Sequence, residues 1–241
     1  MIDIFLLAIL TFVAASVGTI TGFGTSTIMI PILVLVLPAV EAIFLVAIVH
    51  WFGDLWKVML FRQGVNVRLL ILLGGVGLAT SYIGASISLG AGEEILMRLL
   101  GAFLAGYAIF LVAQKNFRIS RGNIAVLIGG ALSGFFAGMF GIGGPIRSMF
   151  LSAFNLRKAV YIATAGAIGL MVDVTRVVTY VAGGATLSNR LWWSLLILIP
   201  VSFAGAQVAR KIVDHVPQKQ FRTVVAVFLL LIGLKLILFP S

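Results

Sequence analysis

The sequence predicts an all-α polytopic membrane protein of two inverted repeats, each a glycine-broken helical hairpin followed by three transmembrane helices. Three observations lead there. Hydrophobic residues make up 61% of the 241 and charged residues 10%, whereas a soluble domain is nearer a quarter charged. Apolar runs of roughly 20 residues, enough to cross a bilayer, recur along the whole length. Finally, the break in the first apolar stretch, Gly22-Phe23-Gly24, returns 119 positions later as Gly141-Ile142-Gly143-Gly144-Pro145. Glycine- or proline-interrupted segments at matching places in two halves mark internally repeated membrane folds with a site at the broken helices.

The elements follow in order. Stretch 3–37 as one helix would be about 52 Å long against a hydrocarbon core of about 30 Å, so it has to turn back, tilt strongly or leave the membrane, and we favour a turn. We place helices at 3–21 and 25–37, with Thr25-Ser26-Thr27 opening the second. Full spans are expected near 41–62, 67–89 and 94–113. After a linker at 114–121 the pattern restarts with 122–140 and 145–153. The latter is about 14 Å long as a helix, too short to span, and Pro145 sits at its first turn, where a missing N–H costs nothing. Spans near 156–182, 190–209 and 218–239 complete the chain, with Trp192 and Trp193 as interfacial anchors. The repeats are thus 1–113 and 122–241, joined by a cytoplasmic linker in one integral membrane domain. Irregular backbone at membrane depth is tolerated only when buried in protein or facing water, so the glycine-rich tips are expected to be buried. The polar start Met1-Ile2-Asp3 has neither a basic region nor a cleavage site, so no removable signal peptide is expected. Cysteine is absent, which excludes disulfide and thiol chemistry.

The formal charge of +10 reads as loop Lys and Arg that orient helices, not as a nucleic-acid surface. With hairpins and an external N-terminus, Arg62, Arg68, Lys115, Arg118, Arg121, Arg157, Lys158, Arg210, Lys211, Lys219 and Arg222 fall inside. Glu41, Glu93 and Glu94 fall outside, with Arg98 and Arg190 as exceptions. Eight simple spans would split the basic residues between the two faces, so the positive-inside rule favours hairpins and inversion, and two full spans in place of a hairpin would give the same topology. Under the 119-residue shift Gly22 falls on Gly141, Gly24 on Gly143, Asp54 on Asp173 and Lys57 on Arg176.

The segment 134–150, Gly-Phe-Phe-Ala-Gly-Met-Phe-Gly-Ile-Gly-Gly-Pro-Ile-Arg-Ser-Met-Phe, and Arg157-Lys158-Ala159-Val160 with the helix that follows resemble the signature of the sulfite exporter (TauE/SafE-type) transporter family. The resemblance covers essentially the whole chain in two copies. It departs at Gly22-Phe23-Gly24-Thr25-Ser26-Thr27, where the family usually has a longer glycine run. It implies a multi-pass inner-membrane carrier for small sulfur-containing anions such as sulfite or organosulfonates, usually outward.

The candidate substrate-binding residues are Gly22, Gly24, Thr25, Ser26 and Thr27 at the first break and Gly141, Gly143, Gly144, Pro145 and Arg147 at the second. Each helix start exposes unpaired N–H groups and about half a positive charge, so two of them meeting would form an anion site. Arg147 on the first turn lies against the dipole, a placement an anion would explain, and its planar fork matches sulfonyl oxygens. The bland alternative is close helix packing, which suits Gly18 and Gly134 best. Asp54 with Lys57 and Asp173 with Arg176 are i,i+3 pairs inside apolar helices. With His50 they are candidates for coupling or gating, or else they are structural ion pairs. No cluster has metal-ligand spacing, Gly141-x-Gly143 lacks the context of a nucleotide site, and no histidine accompanies a nucleophile–acid pair. We therefore expect no enzyme, no cofactor and no metal. The expected function is secondary anion transport by alternating access, with proton coupling as a hypothesis and a passive anion channel as the alternative.

Overall fold

The computed structural model describes residues 3–113, 119–213 and 218–240, the side chains of 218–224 excepted. Lys115, Arg118 and most of the linker lie outside the described residues, as do Ile2 and the side chains of Lys219 and Arg222. The described chain is helical, in the order α1 Ile4–Thr21, α2 Ser26–Leu33, α3 Ala39–Leu60, α4 Val67–Gly90, α5 Glu93–Ala113, α6 Asn123–Phe140, α7 Gly144–Ser152, α8 Lys158–Ala182, α9 Asn189–Ile212 and α10 Gln218–Leu238. Seven of these, α1, α3, α4, α5, α6, α8 and α9, are long and apolar enough to cross a membrane among the described residues.

The breaks are unequal pairs. α1 and α6 have 18 residues each, while α2 has 8 and α7 has 9. The short arms are about 12–14 Å long and cannot span. Gly22 and Gly141 take φ 74° and 72°, so each long arm ends in a left-handed cap that glycine adopts without strain. α2 stops at Leu33, four residues short of the expected Leu37, and the chain turns through Val34–Val36. Pro38, which opens α3, disfavours helix in the residue before it. A π-helical turn at Leu70–Gly74 interrupts α4. The apolar periodicity gave no sign of it.

The helix limits echo the sequence shift. α1 and α6 coincide residue for residue when displaced by 119, and α3 and α8 begin in register. The packing alternates between halves as well: α4 lies on α6, α1 on α9, α3 on α8 and α5 on α10. These contacts run backbone to backbone. A Cβ on Gly134 would overlap the Gly77 carbonyl, one on Gly138 the Ser81 carbonyl, and one on Gly205 would stand 2.7 Å from the Phe12 carbonyl. Lipid is as apolar as leucine, so helices in a bilayer gain by close approach of small residues rather than by apolar burial. Large apolar side chains accordingly remain on the outside, among them Phe5, Ile71, Trp193, Leu196 and Leu231. The interior around α2 and α3 holds Met29, Ile30, Leu33, Ile43, Phe44 and Tyr180.

Candidate anion site

The two breaks meet. Ser148 on α7 donates its hydroxyl to the Gly22 carbonyl at 2.6 Å, and a Cβ on Gly144 would overlap the Phe23 carbonyl. Tyr161 on α8 closes over the contact, donating to the Ser148 carbonyl at 3.4 Å. Gly24 abuts Nε2 of His50, near the middle of α3. Gly18 packs on the break of its own hairpin, against the Gly24–Thr25 backbone, and Gly134 packs on α4.

Beside the breaks, α3, α7 and α8 gather the charged residues. On α3, Lys57 Nζ donates to Asp54 Oδ1 at 2.6 Å. On α8, Arg176 Nη2 lies 2.9 Å from Asp173 Oδ1, an ion-pair contact without hydrogen-bond geometry, and Nη1 donates to the Ala137 carbonyl at 3.2 Å. His50 joins the two helices, with Nδ1 2.5 Å from Asp173 Oδ2 and 3.7 Å from Asp54 Oδ2. Arg147 reaches in from α7, its Nη2 3.7 Å from Asp54 Oδ2. Room for this comes from Gly169 on α8, where a Cβ would overlap Asp54 Oδ2. All six charged or titratable side chains are at most 4% exposed.

The cluster is unbalanced. Three cations face two carboxylates, which leaves one positive charge in a buried place while His50 is neutral. Its surplus is also one of donors. Thr25 Oγ1, Ser26 Oγ, Arg147 Nε and Arg176 Nε are buried without hydrogen-bond partners, as are His50 Nε2 and Asp54 Oδ2. Thr25 Oγ1 faces α3 beside Asp54, 3.2 Å from where a Cβ on Gly53 would stand. Buried polar groups in this number, left unpaired, are costly unless something else meets them.

Of the residues expected at the site, Thr25, Ser26, His50, Asp54, Lys57, Arg147, Asp173 and Arg176 are the polar ones the structure draws to the breaks and the cluster. Gly22, Gly24, Gly141, Gly143, Gly144 and Pro145 build the breaks themselves, all buried. Thr27 is different: its hydroxyl donates to the Phe23 carbonyl at 2.9 Å and is spent on the turn. Gly143 packs against the Ser133 carbonyl and Ala137, which is a packing duty. Sequence reasoning missed Ser148, Tyr161 and Gly169. Gly169 was within reach, being the residue that the 119-residue shift places on His50. Trp56 donates to Ser202 Oγ at 3.1 Å and so ties α3 to α9.

Local spacing gave no metal pattern, yet the fold brings one set together: His50, Asp54 and Asp173 offer ligand atoms within 4.8 Å of one another. Spacing could not show it because the third group comes from another helix. The chemistry of the set disfavours a metal cation, since Lys57, Arg147 and Arg176 already stand on the same carboxylates.

A multi-pass, all-helical membrane protein whose broken helices meet beside a buried, cation-rich, donor-rich cluster is of the transporter class. The chain belongs to the sulfite exporter TauE/SafE family, whose profile matches residues 7–236. Comparison with curated proteins and with solved structures gives no match.

Proposed function

We propose that the chain is a secondary transporter that carries a small sulfur-containing anion, sulfite or an organosulfonate, out across the cell's inner membrane. The observation that carries this reading is the net positive cluster buried where the two helix breaks meet. A buried net charge is unfavourable by several kcal/mol unless a counter-charge joins it. A small oxyanion supplies that charge and the missing acceptors together. Arg147 and Arg176 would hold its oxygens with Thr25 and Ser26 hydroxyls and the N-terminal amides of α2 and α7. His50, Asp54, Lys57, Asp173 and Arg176 would couple or gate the movement.

The cycle we favour is alternating access between two inverted repeats. Supporting it are the matched limits of α1 and α6, the pairing of each long broken arm with a helix of the other half, and the basic loop residues, which this topology would gather on one side. The tight burial of the cluster supports a carrier caught closed rather than a passive channel, which needs a continuous wet pore. Purified protein in proteoliposomes should accumulate labelled sulfite or sulfoacetate in preference to chloride, and an imposed pH gradient should drive it. Equal movement of all anions with no response to a gradient would favour the channel.

A further inference from the structure

We infer that His50 sets the charge of the cargo: the site takes a monoanion while His50 is neutral, and a dianion together with one proton placed on His50 Nε2. The inference rests on the transporter reading above and specifies its ligand. It starts from the geometry of one ring. Nδ1 faces Asp173 Oδ2 at 2.5 Å, so that nitrogen carries a hydrogen and donates to the carboxylate. Nε2 is then a bare acceptor in the neutral ring, and it is buried without a partner against Gly24. An acceptor aimed at the break, where α2 begins, repels an oxyanion. A proton on Nε2 turns the same atom into a donor aimed at that place, with no change of rotamer and without breaking the bond to Asp173.

The charges around the ring make this a count. His50 meets Asp54 on its own helix α3 and Asp173 on α8. On those carboxylates stand Lys57 of α3, Arg147 of α7 and Arg176 of α8, and from the start of α2 the uncharged Thr25 hydroxyl lies against Gly53. Lys57, Arg147 and Arg176 against Asp54 and Asp173 leave a charge of plus one. A monoanion such as a sulfonate neutralises that outright. A dianion such as sulfite would leave minus one, and a proton taken from solution onto Nε2 returns the cluster to neutrality. Lys57 already stands on Asp54 Oδ1, and Arg176 and His50 stand on the two oxygens of Asp173, whereas Nε2 of the ring is bare. The second half has no such group: where α3 has His50, α8 has Gly169, the residue that leaves space for Asp54. One proton site per chain follows, not one per repeat.

The test is proton uptake on binding, read with an indicator dye in weakly buffered detergent solution near neutral pH. Sulfate stands for a fixed dianion, methanesulfonate for a fixed monoanion, and sulfite for the expected cargo. Sulfate binding should take up about one proton per chain and methanesulfonate none, with affinity for sulfate rising as pH falls. In His50→Gln, which cannot gain that proton, uptake should vanish, and affinity should fall about tenfold or more further for sulfate than for methanesulfonate. Dianion binding without proton uptake, binding of methanesulfonate alone, or uptake that persists in His50→Gln overturns the inference while leaving the transporter reading intact. Failure of all three anions to bind overturns both. Should the variant not fold, the contrast between the two anions in the unaltered protein decides the matter by itself.

Discussion

His50 Nδ1 and Asp173 Oδ2 lie 2.5 Å apart although 123 positions separate them in the chain. The bond joins α3 to α8, the central helices of the two halves, and it lies inside a cluster whose charges do not cancel. Both facts shape how substitutions should behave.

Asp173→Asn removes a carboxylate from a cluster already short of negative charge. It leaves Arg176 without its partner and His50 without its acceptor. A loss of about 3–5 kcal/mol is expected for breaking a fully buried pair, seen as a clear fall in the thermal unfolding temperature of the empty protein. Asp173→Asn with Arg176→Gln should recover much of it. A double variant no more stable than the single one would mean that charge balance is not what the pair supplies.

Arg147→Ala acts in the opposite direction on charge. It leaves two cations with two carboxylates, so the empty protein should unfold at nearly the same temperature, while anion affinity falls about 10- to 150-fold, the loss of a charge-assisted contact of roughly 1.5–3 kcal/mol. Arg147→Lys should restore part of it, because an ammonium lacks the planar fork. Unchanged affinity in a folded Arg147→Ala protein would remove this arginine from the site.

Gly169→Ala places a methyl group where Asp54 Oδ2 now lies and against Arg147. Asp54 must then shift, taking its contacts with Lys57, His50 and Arg147 along. Transport should drop sharply, with a stability cost of about 1–3 kcal/mol from overpacking. An alanine at Gly106, which has open space around it, is the control and should do neither.

Ser148→Ala removes the hydroxyl that ties α7 to the Gly22 carbonyl. The direct cost is about 0.5–1.5 kcal/mol. If the breaks separate during transport, the closed state loses more than the open one, and a single cysteine introduced at Thr25 should react faster with a small thiol reagent in Ser148→Ala. Equal rates would mean that this contact persists through the cycle.

In the topology we propose, two repeats of three crossings would return the chain to its starting face. Single cysteines at Asp3 and Pro240, in a protein with none of its own, should therefore both react with an impermeant reagent outside intact cells. Labelling of one end only, or of both only after permeabilisation, contradicts the proposed topology.

What the sequence by itself determined are features set over short distances along the chain. Apolar run lengths place the ten helices of the described residues to within a few positions, glycines mark the two breaks, and acid-x-x-base spacing puts Lys57 on Asp54 and Arg176 on Asp173, because three residues along a helix return to one face. The family was legible too, from the resemblance carried by the contiguous segment 134–150 around the second break, and the match to the family spans residues 7–236. Tertiary structure alone decided which groups share a site. Arg147 meets Asp54, and His50 meets Asp173, only because α3 packs on α8 with α7 inserted beside them, and no periodicity encodes a contact between helices. It also decided what each polar group is free to do. The hydroxyls of Thr25, Ser26 and Thr27 look alike in sequence. The fold has Thr27 donate to a carbonyl and leaves the other two buried and unpaired, which is why the proposed site includes them and not Thr27.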